Sequence, residues 1–289
     1  MPNTLIEPAQ LAGILQDPAA EADWAIVDCR FDLARPEWGA SACAAGHLPG
    51  ALYAHLGRDL SGPVTPQSGR HPLPSPEALA ATLGGFGIDR DTQVVAYDQG
   101  NGAYAARLWW LLRWAGHRLV AVLNGGFAAW QQAALPIATE PSRRAARRFA
   151  TSPPGAELVS AAQIEAMIAA GELSSGRSAL VDARGADRFA GENETLDPIA
   201  GHVPGARNHP FAGNVDARGR FLPADELRNR WLQTLGSTAP QNAVAMCGSG
   251  VTACHNLLAL EVAGLQGARL YAGSWSEWIR DPSRPTVRG

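Results

Sequence analysis

Four short phrases recur in the same order in the two halves of this chain, and that repeat limits the fold more than any other feature. The first half reads Ala25-Ile-Val-Asp-Cys-Arg30, Ala45-Gly-His-Leu-Pro-Gly-Ala51, Val94-Val-Ala-Tyr-Asp98 and Leu123-Asn-Gly-Gly126. The second reads Ala179-Leu-Val-Asp-Ala-Arg184, Ala200-Gly-His-Val-Pro-Gly-Ala206, Ala243-Val-Ala-Met-Cys247 and Leu270-Tyr-Ala-Gly273. The spacing holds as well: Asp28 precedes His47 by 19 residues, and Asp182 precedes His202 by 20. A length of 289 residues suits two domains built on one plan.

Each half alternates short apolar runs with helical patterns. This predicts an α/β fold in which each domain is a mainly parallel sheet with helices on both faces. Ala25–Val27 and Leu119–Leu123 read as strands, and Tyr104 to Trp114 as a helix that buries Trp109, Trp110, Leu111 and Trp114. The domains are expected at 1–140 and 158–289. The intervening 141–157 reads as a linker rich in proline, with Arg143, Arg144, Arg147 and Arg148 as a solvated face. Hydrophobic residues at 46% and charged residues at only 18% argue against disorder.

With 24 Lys and Arg against 27 Asp and Glu, the net charge of −3 provides no electrostatic footprint for nucleic acid. No apolar window is long enough for a membrane span, and the N-terminus lacks a signal-peptide pattern, so a cytoplasmic protein is expected. Four irregularly spaced cysteines, at 29, 43, 247 and 254, read as thiols, and no Cys or His spacing suggests a metal site.

The repeat also acts as a filter. Residues matched across both halves, namely Asp28 and Asp182, Arg30 and Arg184, and His47 and His202, read as buried turn and ion-pair residues of the scaffold. Cys247 has no such match, because Asp98 stands opposite it. The stretch from Ala243 to Leu260 runs from an apolar strand through a glycine-bearing loop into an apolar-periodic helix, placing Cys247 at the strand's carboxyl end. In an open parallel sheet that is where ligands bind. The free N–H groups and dipole of the following helix favour a thiolate over a thiol. Gly248 and Gly250 let successive backbone N–H groups converge on one anion.

At this point the chain resembles the tandem-domain rhodanese-like sulfurtransferases over both halves. Cys247-Gly-Ser-Gly-Val-Thr-Ala253 is similar to the active-site loop of the 3-mercaptopyruvate-using members, and Tyr271-Ala-Gly-Ser-Trp-Ser-Glu-Trp278 resembles their closing signature. The resemblance implies that Cys247 takes sulfur from 3-mercaptopyruvate as a persulfide and passes it to a small thiol, thioredoxin or cyanide, without metal or organic cofactor. It places Gly248, Gly250, Val251 and Thr252 around the donor and gives the Ser249 hydroxyl a catalytic part, relaying a proton or bonding the donor. Arg188, in Asp187-Arg-Phe-Ala-Gly191, matches the first of two arginines expected on the donor carboxylate, whereas residues 192–198 lack the second. Ser68-Gly-Arg-His-Pro-Leu-Pro74 resembles the segment bearing a histidine, His71, that pairs with an upstream aspartate, Asp59, and Tyr104 resembles an aromatic wall residue.

Thiosulfate-preferring relatives carry Arg and Lys after the cysteine, where this chain has Gly248 and Ser249, so mercaptopyruvate is the favoured donor and thiosulfate the alternative. A cysteine phosphatase would need arginine six positions beyond the nucleophile, and Ala253 occupies that place. A non-enzymatic persulfide carrier is the other rival.

Overall fold

The structure, a computed structural model, describes residues 4–17, 23–151 and 158–289. Two compact units divide the chain without following its order strictly. The first comprises Met1–Gly62, Leu73–Pro154 and Asp216–Phe221; the second comprises Pro63–Pro72, Gly155–Val215 and Leu222–Gly289. A short piece of each sequence half therefore belongs to the unit of the other half.

The first unit is built on a five-stranded parallel sheet in the order β1-β5-β4-β2-β3. Its strands are β1 (Leu5–Ile6), β2 (Trp24–Asp28), β3 (Leu52–Tyr53), β4 (Gln93–Tyr97) and β5 (Val120–Leu123). The register pairs Ile26 with Val95 and Ala96 with Val122. Every residue of β2, β4 and β5 is buried, as a parallel strand covered on both faces requires. Ile26, Val95, Tyr97, Ala121 and Leu123 pack with Leu11 and Trp130 on one face. The helix Ala105–Trp114 lies against β4 and β5, with Trp109, Trp110, Leu111 and Trp114 all buried, as their spacing requires.

The arginine run departs from expectation. Only Arg143 and Arg148 are exposed. Arg144 Nη1 donates to the Trp24 carbonyl at 2.7 Å, and Arg147 Nη1 meets Asp89 Oδ2 at 3.1 Å. Phe149 is buried nearby in sequence, so this stretch is docked on the first unit instead of hanging in solvent. Apolar burial one residue past the run outweighs the solvation that its charge suggested.

The second unit repeats the plan with four parallel strands in the order β7-β6-β8-β9, namely β6 (Ala179–Asp182), β7 (Arg207–Asn208), β8 (Ala243–Met246) and β9 (Arg269–Leu270). Leu158 makes an isolated parallel bridge to Leu270, the counterpart of β1 beside β5. The matched residues hold equivalent places. Arg30 Nη2 bridges Asp28 and the Gly46 carbonyl, and Arg184 Nη2 bridges Asp182 and the Gly201 carbonyl. The guanidinium of Arg30 lies 4.1 Å from the Phe127 ring centroid, and that of Arg184 lies 4.8 Å from the Trp275 centroid. Paired, hydrogen-bonded and stacked in this way, these buried charges fix the loop after each central strand.

Candidate active site

Cys247 follows the last residue of β8, and its position is fixed from the far side of the loop. Its N–H donates to Ser274 Oγ at 3.0 Å, and its carbonyl accepts from Trp275 N–H at 2.9 Å. Ser276 N–H closes on the Gly248 carbonyl at 2.9 Å. Ser274 does this from a strained backbone, with φ of +55°, while its hydroxyl donates to the Tyr271 carbonyl at 2.9 Å. A non-glycine residue in that region is uncommon, and here its Oγ is held by two hydrogen bonds, one accepted from Cys247 N–H and one donated to the Tyr271 carbonyl.

Gly250 N–H donates to Cys247 Sγ at 3.1 Å. It does so at φ of +77°, with the Ala272 carbonyl oxygen 2.2 Å from where a Cβ would stand, so no larger residue fits. The helix Thr252–Val262 begins two residues later, after Val251 as its N-cap, and its positive end faces the loop. Cys247 is only 2% exposed. A sulfur carried there is shielded from bulk water.

The segment Pro63–Pro72 completes this site within the second unit. His71 Nδ1 lies 2.8 Å from Ser249 Oγ, which is itself buried. Arg70 N–H donates to Ser276 Oγ at 3.0 Å. A Cβ on Gly69 would stand 2.5 Å from the Gly273 carbonyl oxygen, so the segment seats directly on the closing turn.

Arg188 is held by two acids. Its Nε and Nη2 donate to Glu194 at 2.9–3.1 Å, and Nη2 also reaches Asp197 Oδ2 at 3.1 Å. Arg70 Nη1 donates to the other oxygen of Asp197. One buried carboxylate thus bridges two guanidinia. Burial pushes the Asp197 carboxyl up against the pull of both arginines. Glu194 is also penalised by burial, but hydrogen bonds from Arg188 and from the Leu196 and Asp197 amides hold it below the usual range. Both arginine heads lie beside Gly248: a Cβ there would stand 2.9 Å from Arg70 Nη2 and in ordinary contact, at 3.6 and 3.7 Å, with the two terminal nitrogens of Arg188.

Of the sequence-derived candidates, Cys247, Gly248, Ser249, Gly250, Val251, Thr252, Arg188 and His71 all belong to the second unit, whereas Asp59 and Tyr104 belong to the first. Asp59 Oδ2 accepts from His55 N–H at 2.7 Å, closing its own turn. Tyr104 sits at the start of the helix Ala105–Trp114 and meets Phe31 edge-on at 5.5 Å, with burial raising its hydroxyl to about 12. Burial also raises the Cys29 thiol well above its ordinary value and that of Cys43 to about 12, which keeps both protonated. Cys254 Sγ is 3.3 Å from the Gly250 carbonyl. The sequence reading gave no role to Arg70, Asp197 or Ser274; the signals available were the adjacency of Arg70 to His71 and the place of Ser274 in the closing signature.

The first unit contains a loop of the same design with Asp98 in place of cysteine. Asp98 Oδ1 accepts from Gly100 and Gly102 N–H, each at 3.0 Å, and Oδ2 accepts from Tyr104 and Ala105 N–H at 2.8 and 3.2 Å. Burial pushes this carboxyl up, and the four backbone donors act the other way. The loops after β4 and β8 therefore both turn backbone N–H groups onto one side chain, a carboxylate in the first unit and a sulfur in the second.

A duplicated parallel α/β unit with one cysteine-bearing loop at a strand's carboxyl end defines a class of tandem α/β proteins. The Rhodanese-like domain profile matches residues 8–133 and 160–281, and the chain belongs to this family in its tandem form. It is 47% identical over 287 residues to a probable 3-mercaptopyruvate sulfurtransferase of Pseudomonas aeruginosa, spanning 99% of this chain and 98% of that one. It is 39% identical to a putative thiosulfate sulfurtransferase, SseB, of Mycobacterium tuberculosis, over 99% of this chain and 97% of the relative. The solved 3-mercaptopyruvate sulfurtransferase of Leishmania major matches with a TM-score of 0.81 and 30% identity, covering 97% of this chain and 76% of that chain. SseA of Escherichia coli matches with a TM-score of 0.79 and 29% identity, covering 95% and 100% of the two chains.

Proposed function

We propose that the protein is a sulfurtransferase that takes sulfur from 3-mercaptopyruvate onto Cys247 and passes it to a thiol, a thioredoxin-like dithiol or cyanide. The observation that carries this reading is the Gly250 N–H on Cys247 Sγ, with the heads of Arg70 and Arg188 beside the neighbouring Gly248. The Cys247 thiolate attacks the donor sulfur. The carbon–sulfur bond breaks, its electron pair passes to the donor as pyruvate enolate, and the enolate takes a proton to give pyruvate. The persulfide on Cys247 then yields its outer sulfur to the attacking acceptor, and the thiolate returns. Two half-reactions through a covalent intermediate give ping-pong kinetics.

The His71–Ser249 pair is placed to hold or move a proton beside the nucleophile. His71→Ala is expected to lower kcat about 10²-fold and to change the pH profile of kcat/KM, since general acid–base catalysis contributes on that scale. An unaltered profile from a pH-rate series removes His71 from the mechanism.

Side-by-side kcat/KM values for mercaptopyruvate and thiosulfate, with mass spectrometry of donor-treated protein, test the reading. Mercaptopyruvate is expected to be the better donor and to leave one added sulfur atom on Cys247. A clear preference for thiosulfate shifts the assignment to the activity for which the mycobacterial relative is named. Stoichiometric pyruvate release without turnover in the presence of thiol makes the protein a carrier.

A further inference from the structure

Residues 192–198, where a second carboxylate-binding arginine is expected, present Asp197 instead, and Asp197 holds Arg70. The acid thus brings to the site a base that lies more than a hundred residues away in sequence. Asp197 takes Nη1 of Arg70 and Nη2 of Arg188, leaving Arg70 Nη2 and Arg188 Nη1 without a protein acceptor among the described residues. Both of these nitrogens face Gly248, at 2.9 and 3.7 Å from the position of an added Cβ. The side chains of Arg70 and Arg188 are 28% and 20% exposed, open enough to meet a ligand, while that of Asp197 is 2% exposed.

We propose that Arg70 is the second guanidinium of the donor site, forming with Arg188 a two-armed clamp for the carboxylate of a 2-oxo acid donor. Asp197 is the positioning residue that sets the spacing between the arms. This rests on the mercaptopyruvate reading above and deepens it, since it assigns donor selectivity to residues outside the cysteine loop. Guanidinium forks bind planar carboxylates through paired N–H donors, and two forks tied to one buried acid lose little freedom on binding. Gly248 leaves the space between the two arginine heads and the cysteine loop open.

The test compares two donors that share the sulfur and the ketone but differ in the carboxylate: 3-mercaptopyruvate and 1-mercaptopropan-2-one. Arg70→Ala is expected to lower kcat/KM for mercaptopyruvate about 10–100-fold, mainly through KM, as loss of a charged hydrogen-bond partner does. Its effect on the neutral ketone is expected to stay within about twofold. Arg188→Ala should behave in the same way, and pyruvate should lose potency as a product inhibitor of both variants.

Equal losses on the two donors, or an unchanged KM for mercaptopyruvate, overturn the assignment of Arg70. If Arg70→Ala does not fold, Arg70→Lys keeps the charge on Asp197 but removes the fork, and a selective partial loss on mercaptopyruvate is then the expected result. Non-selective behaviour of Arg70→Lys overturns the proposal. Wild-type protein that turns over neither donor overturns the donor reading itself. Turnover of both donors by wild type, with no selectivity lost in the variants, leaves that reading intact and removes Arg70 alone.

Discussion

Cys247→Ser is expected to reduce sulfur transfer about 10⁴-fold or more while leaving the fold intact. A serine hydroxyl can accept the Gly250 N–H that Cys247 Sγ now accepts, and the backbone at 247 is fixed independently by Ser274 and Trp275. What is lost is a thiol, a stronger nucleophile than a hydroxyl and one that forms a stable bond to a second sulfur. A thermal midpoint within about 2 °C of wild type, with no sulfur adduct after donor treatment, is the expected pair of measurements. Retained turnover would move the chemistry away from this loop.

The second large effect is on stability, in the first unit's counterpart of the cysteine loop. Asp98→Ala leaves four backbone N–H groups, those of Gly100, Gly102, Tyr104 and Ala105, without their acceptor in a site where Asp98 is fully buried. An orphaned buried donor costs about 1–3 kcal/mol, and water admitted to the new space recovers part of it, so a net loss of about 3–5 kcal/mol is expected for the first unit. Asp98→Asn keeps the shape but turns one acceptor into a donor, and should fall between the two. Urea unfolding followed by tryptophan fluorescence reads the change, because Trp109, Trp110, Trp114 and Trp130 all lie buried in this unit. A loss under about 1 kcal/mol for Asp98→Ala would mean that these amides find other partners.

Much of this was legible in the sequence because it depends on local chemistry. The buried strands announce themselves as apolar runs, and the two Asp-x-Arg phrases mark where each central strand ends, since a buried acid needs its partner close by. Cys247 is legible because a strand, two glycines and a helix start in that order leave little else for the loop to be. Arg70 is not legible in the same way. Its place depends on the docking of Pro63–Pro72 in the second unit, a tertiary event that leaves no periodic trace in the sequence. Asp197 misleads, because an acid where a base is expected reads as a loss until its partner is seen. The arginine run misleads in the other direction: Arg144 and Arg147 find acceptors on the first unit, and charge density alone cannot show that.

The placement of Pro63–Pro72 in the second unit means that the ancestral duplication can no longer be reversed by cutting the chain between its halves. A fragment beginning near residue 158 would keep Cys247 and the whole four-stranded sheet, yet would lack His71 and Arg70. The second unit is thus completed by ten residues that the first half of the chain supplies, so neither half of the sequence encodes it alone.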